Sequence, residues 1–126
     1  MKNIEKIKIT EDSTIKRALK VISDGTFQIA IVVNKKEKLV GTLTDGDIRG
    51  GFLKGLNINS SVKSIVNKNP IIAEKNETKE KLLKIALSNK IHQIPVVDKN
   101  NKVIGIHIID ELIEPKDKSN KVVIMA

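Results

Sequence analysis

The chain has 126 residues, of which 40% are hydrophobic, and a chain of this length can bury one core of ordinary size. It contains no cysteine, which excludes a disulfide framework, a thiolate metal site and a thiol nucleophile, and the lack of Trp and Tyr makes base stacking a poor explanation of function. The formal net charge is +8, but the lysines are scattered among Glu and Asp, so we interpret the basic surface as solvated and nucleic acid as an unfavoured partner.

The first 25 residues predict a strand followed by a helix. Residues 3–9 predict the strand, with apolar positions at Ile4, Ile7 and Ile9. From Thr14 onwards the apolar residues recur at helical spacing, and Asp24-Gly25 ends the helix. These helical apolar positions are Ile15, Ala18, Leu19 and Ile22.

A hairpin and a second helix follow. Residues 27–33 are apolar and β-branched and predict a buried strand, the polar residues 34–38 predict a turn, and residues 39–43 predict the returning strand. Thr44 stands where a helix N-cap belongs and Asp47 follows three residues later, so the next helix is predicted from Asp45 towards Leu53. The order of elements is therefore strand, helix, strand, strand, helix.

The second half repeats this order. Residues 7–48 align with residues 71–112 without a gap, at an offset of 64 residues. After a linker with a short helical piece at 62–66, the predicted elements are a strand at 71–73, a helix at 78–88, strands at 94–97 and 103–108, and a short helix at 110–114. The chain is thus predicted to be a tandem repeat.

The C-terminal segment predicts a link to a further domain. Pro115 ends the last helix, residues 116–120 form a polar linker, and residues 122–126 are apolar like a buried strand. We therefore expect the chain to be a fragment of a longer protein. No apolar run approaches twenty residues and no signal-peptide pattern opens the chain, so we expect a cytoplasmic protein without a membrane partner.

The repeated pattern resembles a pair of CBS domains, named after cystathionine β-synthase. The segments that carry the resemblance are residues 40–49 in the first copy, and residues 94–98 and 103–105 in the second. The resemblance implies an α/β (α+β) fold of two βαββα repeats related by a pseudo-twofold axis. The corresponding boundaries are 1–60 for repeat 1, 61–115 for repeat 2, and 116–126 for a linker and the first strand of an absent C-terminal domain.

The resemblance also implies a function. CBS pairs usually bind adenosine derivatives such as AMP, ADP, ATP or S-adenosylmethionine in clefts between the repeats, associate as homodimers and regulate an attached domain. Residues 120–126 resemble the first strand of a sugar-phosphate nucleotidyltransferase, whose phosphate-binding loop is absent here. We therefore expect a regulatory chain that is not itself an enzyme, joined in the full protein to a nucleotidyltransferase domain.

Thr44 and Asp47 are the leading ligand-binding candidates. A carboxylate can accept hydrogen bonds from both ribose hydroxyls, while a threonine hydroxyl and the N–H groups of a helix start can face a phosphate. The spacing alone favours a helix cap, the resemblance favours ligand contact, and the two roles are compatible. Arg49 follows on the same helix and would place its guanidinium on a phosphate, or lie solvated at the surface.

The resemblance assigns further residues to the ligand. They are Phe27, Gln28 and Ile29 ahead of the buried strand, Gly41 in the returning strand, and His92, Gln93 and Pro95 at the equivalent place in the second copy. For Phe27, a plain core role is the favoured interpretation. Ordinary packing or surface roles are the default for both His92 and His107, because no third ligand at suitable spacing supports a metal site.

The second copy departs from the motif where the ligand would bind. The gap-free alignment places Ile108 against Thr44 and Glu111 against Asp47, so the hydroxyl is lost and the carboxylate lies one methylene further out. We therefore expect one competent cleft, at Thr44 and Asp47. The alternatives are a ligand-independent dimerisation module and, less favoured, a nucleic-acid-binding surface. No nucleophile with a base, and no glycine-rich phosphate loop, supports catalysis.

Overall fold

The computed structural model describes residues 2–25 and 27–112, which form two three-stranded sheets flanked by helices. The first repeat consists of β1 (Lys8–Thr10), α1 (Ile15–Asp24), β2 (Ala30–Val33), β3 (Leu39–Leu43) and α2 (Asp45–Leu53). The second consists of β4 (Ala73–Glu74), α3 (Lys79–Asn89), β5 (Gln93–Val97), β6 (Val103–Ile108) and α4 (Ile109–Leu112). Short 3₁₀ turns lie at Glu5–Ile7 and Val62–Ser64. The fold is mixed α/β with the element order predicted from the sequence.

The two sheets have the same topology and the same register. In each, the first strand pairs in parallel with the second, and the second pairs with the third as an antiparallel hairpin. Val32 lies opposite Gly41, and Val96 lies opposite Gly105, 64 residues later. The register shifts one step after each of these valines. The structure therefore confirms the gap-free alignment.

The last strand of each repeat is hydrogen-bonded to the short segment that leads into the other repeat. Lys2 N–H donates to the Ile106 carbonyl at 2.7 Å, and Ile106 N–H donates back at 3.0 Å, which attaches the N-terminal segment to β6 of the second repeat. In the same way, Thr42 in β3 exchanges hydrogen bonds of 3.1 and 2.9 Å with Asn67, which leads into the second repeat. These reciprocal pairings lock the repeats together by backbone hydrogen bonds.

The hydrophobic core is centred on the first repeat. All four residues of β2 are buried, and the larger cluster around them includes Ile106 of β6, so it extends into the second sheet. A smaller cluster lies within the second repeat and consists of Ala73, Leu82, Ala86, Ile94 and Ile109. Burial of these aliphatic side chains is the main stabilising contribution in a chain so poor in aromatics.

Three predicted strands were too long. Strand β1 begins only at Lys8, because Glu5–Ile7 forms a 3₁₀ turn whose three-residue period keeps both Ile4 and Ile7 buried. Strand β2 begins at Ala30 instead of Phe27, because Gln28 has a left-handed φ of 58° that interrupts an extended backbone. Similarly, β4 covers only Ala73–Glu74.

The helices match the predictions more closely. Helix α1 begins after Thr14, whose hydroxyl oxygen accepts a hydrogen bond from Arg17 N–H at 3.2 Å, and α2 begins after Thr44 as expected. Within the described residues no helix is long and apolar enough to cross a membrane. The predicted end of the last helix at Glu114, the linker at 116–120 and the strand at 122–126 lie outside the described residues.

Candidate functional site

The N-terminus of α2 is held by a hydrogen-bonded pair. The Asp47 carboxylate accepts a hydrogen bond from the Thr44 backbone N–H at 2.9 Å through Oδ2, and the same oxygen accepts from the Thr44 hydroxyl at 3.2 Å. Both residues are half-buried. The other carboxylate oxygen, Oδ1, has no hydrogen-bond partner in the part of the chain that the structure describes. The helix-cap role is therefore present, and one carboxylate oxygen is left to accept a ligand hydroxyl.

Two other segments approach this helix start. In the β2–β3 hairpin Ala30 lies opposite Leu43, so continuing the register brings Ile29 opposite Thr44. From the other side, the pairing of Thr42 with Asn67 brings the linker of the second repeat alongside the end of β3. The start of α2 thus lies beside Ile29 and close to the segment that leads into the second repeat.

A side chain of the second repeat connects the two predicted base-contacting segments. Gln93 Nε2 donates a 2.7 Å hydrogen bond to the carbonyl oxygen of Phe27, and both residues are half-buried. Gln28 beside it is exposed, whereas Ile29 is buried. The structure therefore brings Phe27 and Gln93 together.

Three other predicted residues have different surroundings. His92 is exposed, with Nδ1 at 3.9 Å from the Asp110 carboxylate, and Pro95 is buried within β5. Arg49 is exposed and forms an ion pair with Asp45, one helical turn earlier. For Arg49 to bind a phosphate it would have to leave this pair, which as an exposed (i, i+4) contact is worth only about 0.3–0.5 kcal/mol.

Gly41 has a packing role that is visible in the structure. A Cβ atom built on Gly41 would lie 2.1 Å from the carbonyl oxygen of Asn67 and 2.9 Å from a methyl group of Val66. Only glycine therefore permits the close approach of the linker to β3. Its contact with a ligand stays a prediction.

The second copy of the motif differs from the first in a way that the sequence did not reveal. Gln93 lies opposite Ile108, which confirms that Ile108 holds the place of Thr44. The Lys2 ammonium lies 3.3 Å from the Glu111 carboxylate, so the counterpart of Asp47 is paired with a cation of the same chain. Sequence analysis missed Lys2, because no local pattern indicates that the residue pairs with β6.

Two ionisable groups of the second repeat have pKa values shifted by their surroundings. Burial lowers the pKa of His107 below its ordinary value. Backbone N–H groups, first that of Lys102 and then that of Asn100, lower the pKa of Asp98 in the second hairpin turn. Among the described residues, no group of three or more His, Asp or Glu side chains is placed to hold a metal ion.

Sequence comparison identifies relatives of most of the chain. The profile of the CBS domain matches residues 2–54 and 62–106. An uncharacterised protein of Helicobacter pylori (strain J99) is 36% identical over 110 residues, covering 84% of this chain and 32% of the relative. The inosine-5'-monophosphate dehydrogenase of Methanocaldococcus jannaschii is 24% identical over 127 residues, covering 95% of this chain and 25% of that enzyme. The chain thus spans between a quarter and a third of the length of these relatives.

Solved structures share the fold. CBSX2 in complex with AMP superposes with a TM-score of 0.75 at 18% identity, covering 90% of this chain and 88% of that one. The cytosolic domain of the Mg²⁺ channel MgtE in complex with ATP gives a TM-score of 0.72 at 20% identity, covering 84% of this chain and 43% of that one. The CBS domains of a transcriptional regulator from Streptococcus pneumoniae give 0.73 at 15% identity, covering 84% and 85%. At these identities the likeness establishes the fold.

Proposed function

The chain belongs to the CBS-domain family, and we propose that it is a regulatory CBS pair that binds an adenine nucleotide between its repeats. The observation that carries the proposal is the half-buried pair of Thr44 and Asp47 at the start of α2, next to the linker of the second repeat. Related folds that hold AMP in CBSX2 and ATP in the MgtE domain support the ligand class. S-adenosylmethionine, another adenosine derivative, belongs to the same proposal.

Different residues of the site would bind the ribose, the phosphate and the base of the ligand. Oδ1 of Asp47 is the free acceptor for a ribose hydroxyl, while Oδ2 continues to hold the Thr44 N–H. At the start of α2, a nine-residue helix, the backbone N–H groups of Asp45 and Gly46 form no hydrogen bond with the described residues, and they would suit a phosphate. Phe27 to Ile29, with His92 and Gln93, would then contact the base, and Arg49 would add a charge to the phosphate.

One cleft per chain is expected to bind. Ile108 offers no hydroxyl, and Glu111 is engaged by Lys2, so the second cleft lacks both groups that define the first. A nucleotide in the first cleft contacts both repeats and would change how two chains pack only if it binds the two arrangements with different affinity.

The regulated partner is proposed to be a sugar-phosphate nucleotidyltransferase domain on the same chain in the cytoplasm. CBS domains are regulatory modules and not catalysts. The support for this partner is the likeness of residues 120–126 to the first strand of such enzymes and the much greater length of the relatives. We accordingly keep 1–60 and 61–115 as the repeats and 116–126 as the linker and first strand of that domain.

A second candidate function is ligand-independent dimerisation. Leu53 at the end of α2 and Leu87 on α3 are 86% and 81% exposed, so both side chains are available to a second copy of the chain. A second copy of the chain is the occupant expected over these helices. Sedimentation analysis that gives the same dimer with and without nucleotide, and monomer for Leu53→Lys, would favour this candidate if no nucleotide binds.

A thermal-melt series tests the nucleotide proposal. The chain is melted with AMP, ADP, ATP, S-adenosylmethionine or GTP at millimolar concentration, because a ligand that binds only the folded state raises the melting temperature by mass action. We expect a rise with at least one adenosine compound and none with GTP. Absence of a shift with every adenosine compound would reject nucleotide binding and leave dimerisation as the function.

A further inference from the structure

A groove lies beside helix α1 of the first repeat. It has a volume of about 660 Å³ and lies between the N-terminal segment with its 3₁₀ turn, helix α1 and Phe27. Every described residue that lines it falls within residues 2–27, and neither Thr44 nor Asp47 is among them. The volume is within the range of about 300–1,000 Å³ that is usual for small-molecule sites.

The groove combines an apolar floor with a basic rim. Ile7 and Val21 are buried beneath it, and Phe27 is half-buried at one end. The rim carries four cations, Lys2, Lys6, Arg17 and Lys20. Arg17, Lys20 and Asp24 follow one another at helical spacing along one side of α1, beside the residues of that helix that face the core.

The cations of the rim exceed the acids available to them. Glu5, one of the two acids in the groove, lies 3.2 Å from Lys8, and Lys2 is paired with Glu111. Lys6, Arg17 and Lys20 form no ion pair with any described residue, and Asp24 is the one acid left beside them. The rim therefore has an excess of positive charge that a bound anion would neutralise.

The second repeat provides an internal comparison, because its residues hold the same positions 64 places later. Lys2 and Lys6 correspond to Val66 and Pro70, and Phe27 corresponds to Ile91. Arg17 corresponds to Lys81, whose ammonium is already paired with Glu77 at 3.2 Å. The combination of free cations and an aromatic ring is therefore a feature of the first repeat and not of the fold.

We propose that this groove is a binding site for a small organic phosphate that carries a flat ring. The ring would lie on Ile7 and Val21 against the edge or face of Phe27. The phosphate would meet Arg17, whose planar guanidinium can donate two parallel hydrogen bonds, with Lys20 and Lys6 beside it. Phe27 belongs to both proposed sites, whereas Thr44 and Asp47 do not line the groove.

Phenyl phosphate carries both a ring and a phosphate and is therefore the probe for the whole site. Phenol tests the part of the site that would hold the ring, and inorganic phosphate tests the part that would hold the phosphate. Amide resonances of the isotope-labelled chain are followed by NMR during each titration. We expect saturable shifts at residues 4–7 and 17–25, with phenyl phosphate binding at least about threefold more tightly than either phenol or inorganic phosphate. If inorganic phosphate binds as tightly as phenyl phosphate, the groove is a simple anion site and the proposal is wrong.

A pair of double variants supplies the matched comparison. Arg17→Ala/Lys20→Ala should weaken phenyl phosphate about tenfold, whereas Lys81→Ala/Lys84→Ala removes the same charge from the same helix positions of the second repeat and should leave the affinity unchanged. All four residues are exposed, and alanine favours the helix, so both variants should fold. Equal weakening in both variants, shifts centred on Thr44 and Asp47, or no saturation would overturn the proposal.

Discussion

Lys38 and Lys102, which hold the same position in the two repeats, face each other across an antiparallel backbone bridge. A residue can pair with its own counterpart only where the axis relating the repeats passes between them. The adjacent contact, Leu39 N–H donating to the Asn101 carbonyl at 2.9 Å, reinforces this centre. The pseudo-twofold axis expected from the sequence is therefore located between the two hairpins.

The linker contact at Gly41 should be essential to the docking of the repeats. Gly41→Ala would place a methyl group 2.1 Å from a backbone oxygen of Asn67, which cannot move without breaking its hydrogen bonds to Thr42. We expect a loss of about 1–3 kcal/mol in the free energy of unfolding, measured by urea denaturation.

Gly50, in the middle of α2, is the matched control for this substitution. No atom lies within 4 Å of a Cβ built there, so Gly50→Ala should stabilise the chain by up to about 1 kcal/mol through helix propensity. If the two variants had similar stability, the close approach at Gly41 would not be a constraint on the fold.

The hydrogen bonds that cap α2 should stabilise the folded chain even without a ligand. Asp47→Ala removes the acceptor of the Thr44 N–H and should lower the free energy of unfolding by about 1 kcal/mol. Thr14→Ala removes the hydroxyl that accepts the Arg17 N–H at the start of α1, and it should lower the stability by a similar amount. Denaturation of both variants without nucleotide checks this, and an unchanged stability of Asp47→Ala would show that the bond to Thr44 contributes nothing.

Restoring the motif should activate the second cleft. Ile108→Thr/Glu111→Asp reproduces the Thr and Asp of the first copy, and adding Lys2→Ala removes the cation that neutralises the acid. We expect the triple variant to bind two nucleotides per chain where the parent binds one, as counted by calorimetric titration. Lys2→Ala alone should keep one, because Ile108 still lacks a hydroxyl. A stoichiometry of one in the triple variant would mean that the second cleft is closed for another reason.

The second hairpin turn should depend on pH and the first should not. Asp98 Oδ1 accepts the N–H groups of Asn100 and Lys102 at 2.8 and 3.0 Å, and Asn34 makes the equivalent bonds in the first repeat without a titratable group. Because its pKa is lowered on folding, the contribution of Asp98 is complete above the ordinary value of 3.8 and is lost as the pH falls through the lower, folded value.

Asp98→Asn gives the second turn the chemistry of the first, so it should flatten the acid side of the stability profile while leaving stability at pH 7 nearly unchanged. Urea midpoints between pH 2 and 7, with an NMR titration of the Asp98 carboxyl group, check this. A folded pKa at or above the ordinary value would show that the backbone bonds do not hold the carboxylate.

The sequence predicted the features that depend on local pattern. The repeat offset, α1 with its Thr14 cap, and the start of α2 after Thr44 all follow from spacing within a few residues. The start of β2 did not, because the left-handed backbone of Gln28 lies within an apolar run that is otherwise typical of a strand. Local pattern thus predicted the order of the elements better than their ends.

Within the candidate site, the residue types were predictable and their partners were only partly so. The Arg49–Asp45 pair follows from (i, i+4) spacing, whereas the bond from Gln93 to Phe27 and the pairing of Lys2 with Glu111 join distant parts of the chain. Such contacts depend on how the two repeats are docked, and no local pattern carries that information.

Calorimetric titration of the chain with AMP, beside Asp47→Ala and Thr14→Ala, is the most direct measurement of the cleft, with ADP, ATP and S-adenosylmethionine substituted in turn if AMP gives no heat. A nucleotide held by Asp47 predicts one site per chain in the parent and in Thr14→Ala, and a loss of affinity of at least about tenfold in Asp47→Ala, because a charged hydrogen bond to the ribose is removed. Equal affinity in all three chains, or no binding of any adenosine compound, would contradict it.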